Sequence, residues 1–257
     1  MRHQTRASPS RIPPPLFGAM GNPTTESDIS PSETLSERAA SLVEADIVSG
    51  VLPPGSRLAI AELAARYEVG ATPVREGLSR LVARGLIVAI GQRGFRVSAI
   101  SHADLEDITK LRTLVECEAL RQSILRGDGA WEGAVVGALH NLRRYAEKNS
   151  ERLRDGRPEF DALHKGFHTT LISACGSPRM LAAHSDLYDQ AYRYRRVLMS
   201  TFQGSDEVIS THSELADLVI SRQIRKAQAA LAAHLAITLA KVYPDAAPPE
   251  ERARRRT

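Results

Sequence analysis

The chain has 257 residues, 42% hydrophobic and 5% aromatic, with a formal net charge of +4. That length exceeds one small module and suits two domains, and abundant Ala and Leu with few aromatics favour helix over sheet. No apolar run approaches membrane-spanning length, and the two cysteines, Cys117 and Cys175, offer no disulfide framework, so a soluble cytoplasmic protein without a membrane partner is expected.

Residues 1–30 are rich in Pro, Ser and Thr, lack periodicity and read as a disordered tail. From there to residue 100 the pattern is compact. Leu42, Val43 and Ile47 mark the inward face of a helix over about 35–49, which ends at Gly50, and the turn Pro53-Pro54-Gly55 follows. A short second helix over about 59–67 carries Leu63 inward. The break Val69-Gly70 then opens a third, over about 71–84, with Val74, Leu78, Leu81 and Val82 at helical spacing. Leu86-Ile87-Val88-Ala89-Ile90 and Phe95-Arg96-Val97 flank the turn Gly91-Gln92-Arg93-Gly94 and predict a hairpin with a basic tip. Three helices and a two-stranded wing over 31–100 make a winged helix, a shape that reads the major groove of DNA.

Charge supports that reading. Residues 66–96 hold Arg66, Arg75, Arg80, Arg84, Arg93 and Arg96 against Glu68 and Glu76, an excess of four positive charges on the third helix and wing. A few arginines can simply solvate a helix, but these coincide with the element that would enter a groove. Residues 101–243 are balanced, with 19 basic and 18 acidic side chains.

The spacing Gly50, Leu52, Pro54-Gly55, Leu58, Leu63-Ala64, Val69, Thr72 to Glu76, Leu78, Arg80-Leu81, Gly85-Leu86-Ile87, Arg93-Gly94 and Val97 resembles the GntR family of bacterial transcription regulators. The resemblance implies sequence-specific binding to duplex DNA, with Thr72, Arg75 and Arg80 on the third helix and Arg93 and Gly94 on the wing as candidate contacts. The family's recognition helix begins with an arginine that reads a guanine edge; here Ala71 stands in that place. Alanine can touch a thymine methyl but cannot donate to guanine, so the operator is expected to differ from the usual half-site or to be read less strictly. Gly70 also takes the capping place of Ser or Thr, at a cost of a few tenths of a kcal/mol.

From 101 to 243 everything reads as helix, over about 102–126, 130–149, 158–175, 178–202, 205–220 and 222–242. Breaks fall at Gly127-Asp128-Gly129, Asp155-Gly156-Arg157, Gly176-Ser177 and Gly204-Ser205. Short connections make these an antiparallel bundle of six to seven helices, so the fold class is mainly α. Residues 244–257, with Pro248-Pro249 and Arg254-Arg255-Arg256, read as a second loose tail. A winged helix followed by such a bundle is similar to the FadR subfamily, whose C-terminal module is the FCD domain.

Within the bundle, His164 and His168 lie four apart on one helix, in phase with Leu171, Ile172 and Cys175. His212 is in phase with Val208, Leu215 and Val219, and His234 with Leu231 and Leu235. A lone histidine on an apolar face is usually a hydrogen-bonded core residue. Four together need partners, and a divalent metal supplies one to all. The resemblance implies a metal site built from Asp-x-x-x-His and two histidines 22 residues apart. His168 matches the first histidine, His212 and His234 are 22 apart, and His164 replaces the aspartate. Zinc or nickel suits imidazole better than magnesium. Asp161 is a candidate to orient His164.

The resemblance further implies a small organic acid as effector, bound beside the metal by an arginine on the bundle's first helix. Arg112, in Leu111-Arg112-x-x-Val115-Glu116, is that candidate, although the same spacing also fits a surface ion pair with Glu116. Tyr188, Tyr192, Arg195 and Arg196 crowd a later helix and are candidates to line the same cavity. A homodimer on a palindromic operator is expected, since one winged helix offers few contacts. Two other classes fit parts of the sequence: a metal-dependent hydrolase with an accessory DNA module, which lacks a general-base signature, and a DNA-binding protein with an inert helical dimeriser, against which the four inward histidines argue.

Overall fold

Thr34 sets the start of the first helix. Its hydroxyl accepts from the amide of Glu37, whose carboxylate accepts from the amide of Thr34, so two otherwise unpaired donors are satisfied. The computed structural model describes residues 34–149, 158–199 and 205–244. The two expected tails, Pro244 aside, and the break at Asp155-Gly156-Arg157 lie outside the described residues.

The first helix, α1, spans Leu35–Val48; α2 spans Ile60–Tyr67 and α3 spans Ala71–Ala83. Gly70 caps α3 without a side-chain hydrogen bond, as its lack of a hydroxyl dictates. Gly77 lets α3 cross α1 closely: a Cβ there would lie 2.8 Å from the Ala40 amide nitrogen and 3.0 Å from the Ser36 carbonyl oxygen. Val43, Ile47, Leu63, Val74, Leu78 and Leu81 close the small core between the three helices.

The wing has one strand more than the sequence predicts. Besides β2 (Ile87–Ala89) and β3 (Phe95–Val97), the dipeptide Arg57–Leu58 forms β1, giving an antiparallel sheet of order β1-β3-β2. Arg57 pairs with Arg96, and Val88 faces the same residue from the other side. Gly94, at φ +91°, turns the chain into β3 after the short 3-10 turn Gly91–Arg93.

The bundle comprises α4 (His102–Arg126), α5 (Gly129–Lys148), α6 (Pro158–Ile172), α7 (Pro178–Met199), α8 (Ser205–Ile220) and α9 (Ile224–Val242). Ser101 and Asp128 cap α4 and α5 with side-chain oxygens, and α6 and α7 open on prolines, where a missing amide proton costs nothing. Ser173–Cys175 is a 3-10 turn where the sequence predicts the end of a longer helix. Helix α4 packs against α7 and α9, and α5 against α6 and α8. Trp131 fills the α5–α6 contact, its indole N–H donating to Thr170 O at 2.9 Å. Both cysteines are free thiols. Among the described residues no helix is long and apolar enough to cross a membrane.

Helix α7 joins the two cores. Arg84, just after α3, donates to Glu44 on α1, to Asp186 at 2.7 Å and to Asp189 at 2.9 Å. Gln190 returns a hydrogen bond to Arg84 O at 2.7 Å, and Arg193 donates to Ser98 O at 2.8 Å. The arginine that sequence grouped with the basic reading face is therefore turned inward onto three carboxylates. Those partners lie too far along the chain for the local charge pattern to reveal them.

Candidate functional site

Helix periodicity brings the four histidines together. His164 and His168 sit on successive turns of α6, His212 comes from α8 and His234 from α9. One ring nitrogen from each lies within 4.8 Å of the others. Nitrogens around a tetrahedral zinc would be roughly 3.3 Å apart for bonds of about 2.0–2.1 Å, so the observed spacing is of the right order for a shared ion. Both ring nitrogens of His168, Nε2 of His212 and Nδ1 of His234 are buried with no hydrogen-bond partner among the described residues. Buried polar atoms are normally satisfied, so the one lone pair that each neutral ring carries fits a divalent metal.

Burial and neighbouring groups disfavour the protonated form of all four rings. Burial, reinforced by Arg195 and by neighbouring rings, holds His164 well below the usual imidazole range, and burial with its neighbours does the same to His168 and His234. Burial also lowers His212 to about 4, despite a hydrogen bond to Val208 O that opposes the shift. Neutral imidazole is the ligating form.

The histidines line one wall of a cavity of about 80 Å³, shared with Arg112, Tyr188, Tyr192, Arg195 and Lys241. A buried water needs roughly 10–15 Å³ on this scale, so the space holds several water-sized groups. Arg112 does pair with Glu116, Nε to Oε1 at 2.7 Å, but the pair is buried, Glu116 being only 1% exposed. Burial raises the Glu116 carboxyl, yet Arg112 and His184 outweigh it and hold it below its usual value. The Arg112 guanidinium also lies 5.3 Å from the centre of the Tyr188 ring. Asp161 reaches His164 through Arg195: Nη2 donates to Asp161 Oδ1 at 3.0 Å, and Nη1 lies 2.6 Å from His164 Nδ1. Tyr192 donates to the other oxygen of Asp161. The side chain of Arg196 lies outside what the structure describes.

His184 was not singled out by sequence. It is fully buried on α7, with Nδ1 3.2 Å from Glu116 Oε1 and Nε2 3.2 Å from Thr169 Oγ1. Its signal is the spacing 184, 188, 191, 195, which sets His184, Tyr188, Ala191 and Arg195 on one face.

At the other end of the molecule, Ala71, Thr72 and Arg75 are exposed on the first turns of α3, and Arg93 is exposed at the wing tip. Arg75 and Arg93 make no ion pair among the described residues. Arg80 is exposed but reaches Glu37 at 3.2 Å, Arg66 reaches Asp46 at 3.1 Å, and Arg96 donates to Gly55 O at 2.9 Å. Such exposed pairs are weak and exchange readily, so Arg80 stays accessible. With Arg84 withdrawn, the basic face is narrower than the count of six arginines predicts.

Comparison with known proteins bears on both ends. Residues 35–97 match the family described as bacterial regulatory proteins, gntR family, and residues 107–237 match the FCD domain. The HTH-type transcriptional regulator BphR of Paraburkholderia xenovorans is 37% identical over 228 residues, covering 87% of this chain and 93% of its own. The chain belongs to the GntR family. The HTH-type transcriptional repressor GlaR of Escherichia coli is 33% identical, covering 74% of this GntR chain and 87% of its own. Among solved structures, E. coli McbR/YncC superposes with a TM-score of 0.69 at 19% identity over 82% of this chain and 98% of that one. A GntR regulator from Rhodococcus sp. RHA1 gives 0.66 at 22% identity, over 82% and 99%. At those identities the superpositions speak for the fold. This GntR protein is thus a transcriptional regulator with a DNA-binding helix-turn-helix domain and an FCD domain, and the families and relatives it matches are regulators, not enzymes.

Proposed function

We propose that this regulator binds a palindromic operator as a homodimer, and that a small organic acid in the histidine cavity sets its operator affinity. A divalent metal, zinc or nickel, is held there by His168, His212 and His234, with His164 beside them as the fourth candidate. The metal supplies a fixed positive charge that attracts a carboxylate, and Arg112 clamps that carboxylate from α4. The observation that carries this reading is the set of buried imidazole nitrogens, unpartnered among the described residues, on the wall of a cavity that also contains a buried guanidinium.

Thr72, Arg75 and Arg80 act from α3 and Arg93 and Gly94 from the wing, on base edges and phosphates. The route between the ends is α7, whose one face carries Tyr188 and Arg195 to the cavity while the other carries Asp186, Asp189 and Gln190 to Arg84. Lys165, next to His164 on α6, donates to both oxygens of Asp189 at 2.7 and 2.8 Å, which ties the histidine helix to the same latch. Leu114, 71% exposed, and Leu111, 46% exposed, give α4 an apolar outer face suited to a second copy.

Elemental analysis of protein purified without chelator, repeated on His212→Ala, tests the metal. About one ion per chain is expected in the wild type and a clear loss in the variant. Arg112→Ala is expected to keep the metal and to lose the rise in melting temperature produced by small dicarboxylates or hydroxy acids. A wild type that cannot be loaded with zinc or nickel, or that no carboxylate stabilises, would remove this reading.

A further inference from the structure

The four histidines differ in what each Nδ1 faces. On α8, His212 Nδ1 lies 2.6 Å from Val208 O. A carbonyl oxygen only accepts, so this nitrogen carries the ring proton and leaves the Nε2 lone pair bare, which is how a metal-ligating histidine is prepared. Nε2 is indeed buried without a partner among the described residues. On α6 the arrangement is reversed. His164 Nδ1 lies 2.6 Å from Arg195 Nη1 and 2.7 Å from Tyr188 Oη. A guanidinium only donates and does not lose its proton, so His164 Nδ1 accepts, and the neutral ring carries its proton on Nε2. A protonated ring nitrogen has no lone pair to give a metal.

For His164 to ligate, Arg195 would have to leave. It is tied in place: Nη2 to Asp161 Oδ1 at 3.0 Å, Nη1 also to Tyr188 Oη at 3.2 Å, and the guanidinium 5.5 Å from the centre of the Phe160 ring. Charge points the same way. Asp161 offsets Arg195 and Glu116 offsets Arg112, so the two positive charges of a metal on neutral imidazoles stay uncompensated inside a buried cavity until an anion arrives.

We propose that His164 stays outside the metal coordination, leaving His168, His212 and His234 as the side chains that hold the ion, and that it instead positions Arg195 toward the acid of the proposed function. This rests on the metal-centre reading above, and what it adds is a division of roles among the four histidines.

The test uses the full-length protein, stripped with chelator and titrated with cobalt(II) while visible absorption is followed. Wild type is expected to take up one ion per chain. His164→Gln, whose amide oxygen can still accept from Arg195, is expected to bind cobalt with the wild-type spectrum and with affinity within about tenfold of wild type, the smaller loss typical of groups beyond the ligands. His212→Ala is expected to lose the absorption. Millimolar sodium acetate is expected to change the wild-type spectrum, and Arg195→Gln to need about ten times more acetate, the equivalent of one charged contact.

His164→Gln that keeps its circular dichroism but loses cobalt as His212→Ala does overturns the proposal. So does a wild-type cobalt spectrum that acetate leaves unchanged, a result that needs no variant. A wild type that takes up no cobalt, zinc or nickel removes the metal centre itself, and this inference with it. Uptake that depends on His164 removes this inference alone.

Discussion

Arg75 on α3 and Arg93 at the wing tip are exposed and make no ion pair among the described residues, and the proposed reading gives them different purposes. Arg75 stands one turn after Ala71, where a helix in the major groove meets base edges. Arg75→Ala is expected to weaken binding to the preferred operator by about 1–3 kcal/mol, the scale of one good base contact. Arg93→Ala is expected to weaken all duplexes alike and to reduce the salt slope of binding by about one, the mark of a lost phosphate contact. Ala71→Arg is expected to shift preference toward a guanine-bearing half-site. Gel shifts against a randomised duplex pool at two salt concentrations report all three. Equal affinity and unchanged site choice in Arg75→Ala would remove α3 as the reader. Gly77 matters for a steric reason. Gly77→Ala forces a methyl against the backbone of α1 and is expected to cost about 1–3 kcal/mol, visible as a lower midpoint in chemical denaturation. An unchanged midpoint would mean that α1 moves aside freely.

At the scale of elements, α7 is the proposed route between cavity and reading head. Asp189 is shared between Lys165 on α6 and Arg84 at the end of α3, so its charge ties both to one helix. Asp189→Asn keeps the size and removes the charge. It is expected to leave the thermal shift produced by a bound acid intact and to shrink the accompanying change in operator affinity, a coupling typically of about 1–3 kcal/mol. Full retention of the affinity change, measured by anisotropy beside the thermal shift, would rule out α7 as the route. Much of this architecture is legible in sequence. Among the described residues the 3.6-residue period locates nine α-helices to within a few residues, and helical phase alone puts His164, His168, His212 and His234 on inward faces. The strand Arg57–Leu58 was not legible, because two residues carry no alternation and the strand exists only by pairing with β3. Arg84 was misassigned because its carboxylate partners on α7 lie about a hundred residues away. The role of Arg195 was equally hidden, since spacing shows where a side chain points and not which hydrogen-bonding atom it meets.

At the scale of the molecule, the proposed palindromic operator calls for two reading heads, since one winged helix offers few contacts. Leu114, exposed on α4, is suited to the proposed self-association. Leu114→Glu is expected to yield a monomer in sedimentation and to lose most of the operator affinity while retaining metal. A dimer that persists in this variant would place the interface elsewhere. The central claim joins both ends of the chain: what the histidine cavity holds changes how tightly α3 holds DNA. Its most direct test is an anisotropy titration of a duplex selected from a random pool, with zinc-loaded protein, across a panel of dicarboxylates and hydroxy acids. At least one acid is expected to shift the affinity by about tenfold or more, within the usual range of coupling between two sites, and Arg112→Ala is expected to abolish that shift. An affinity that stays constant across the panel, with the acids shown by thermal shift to bind, would contradict the claim.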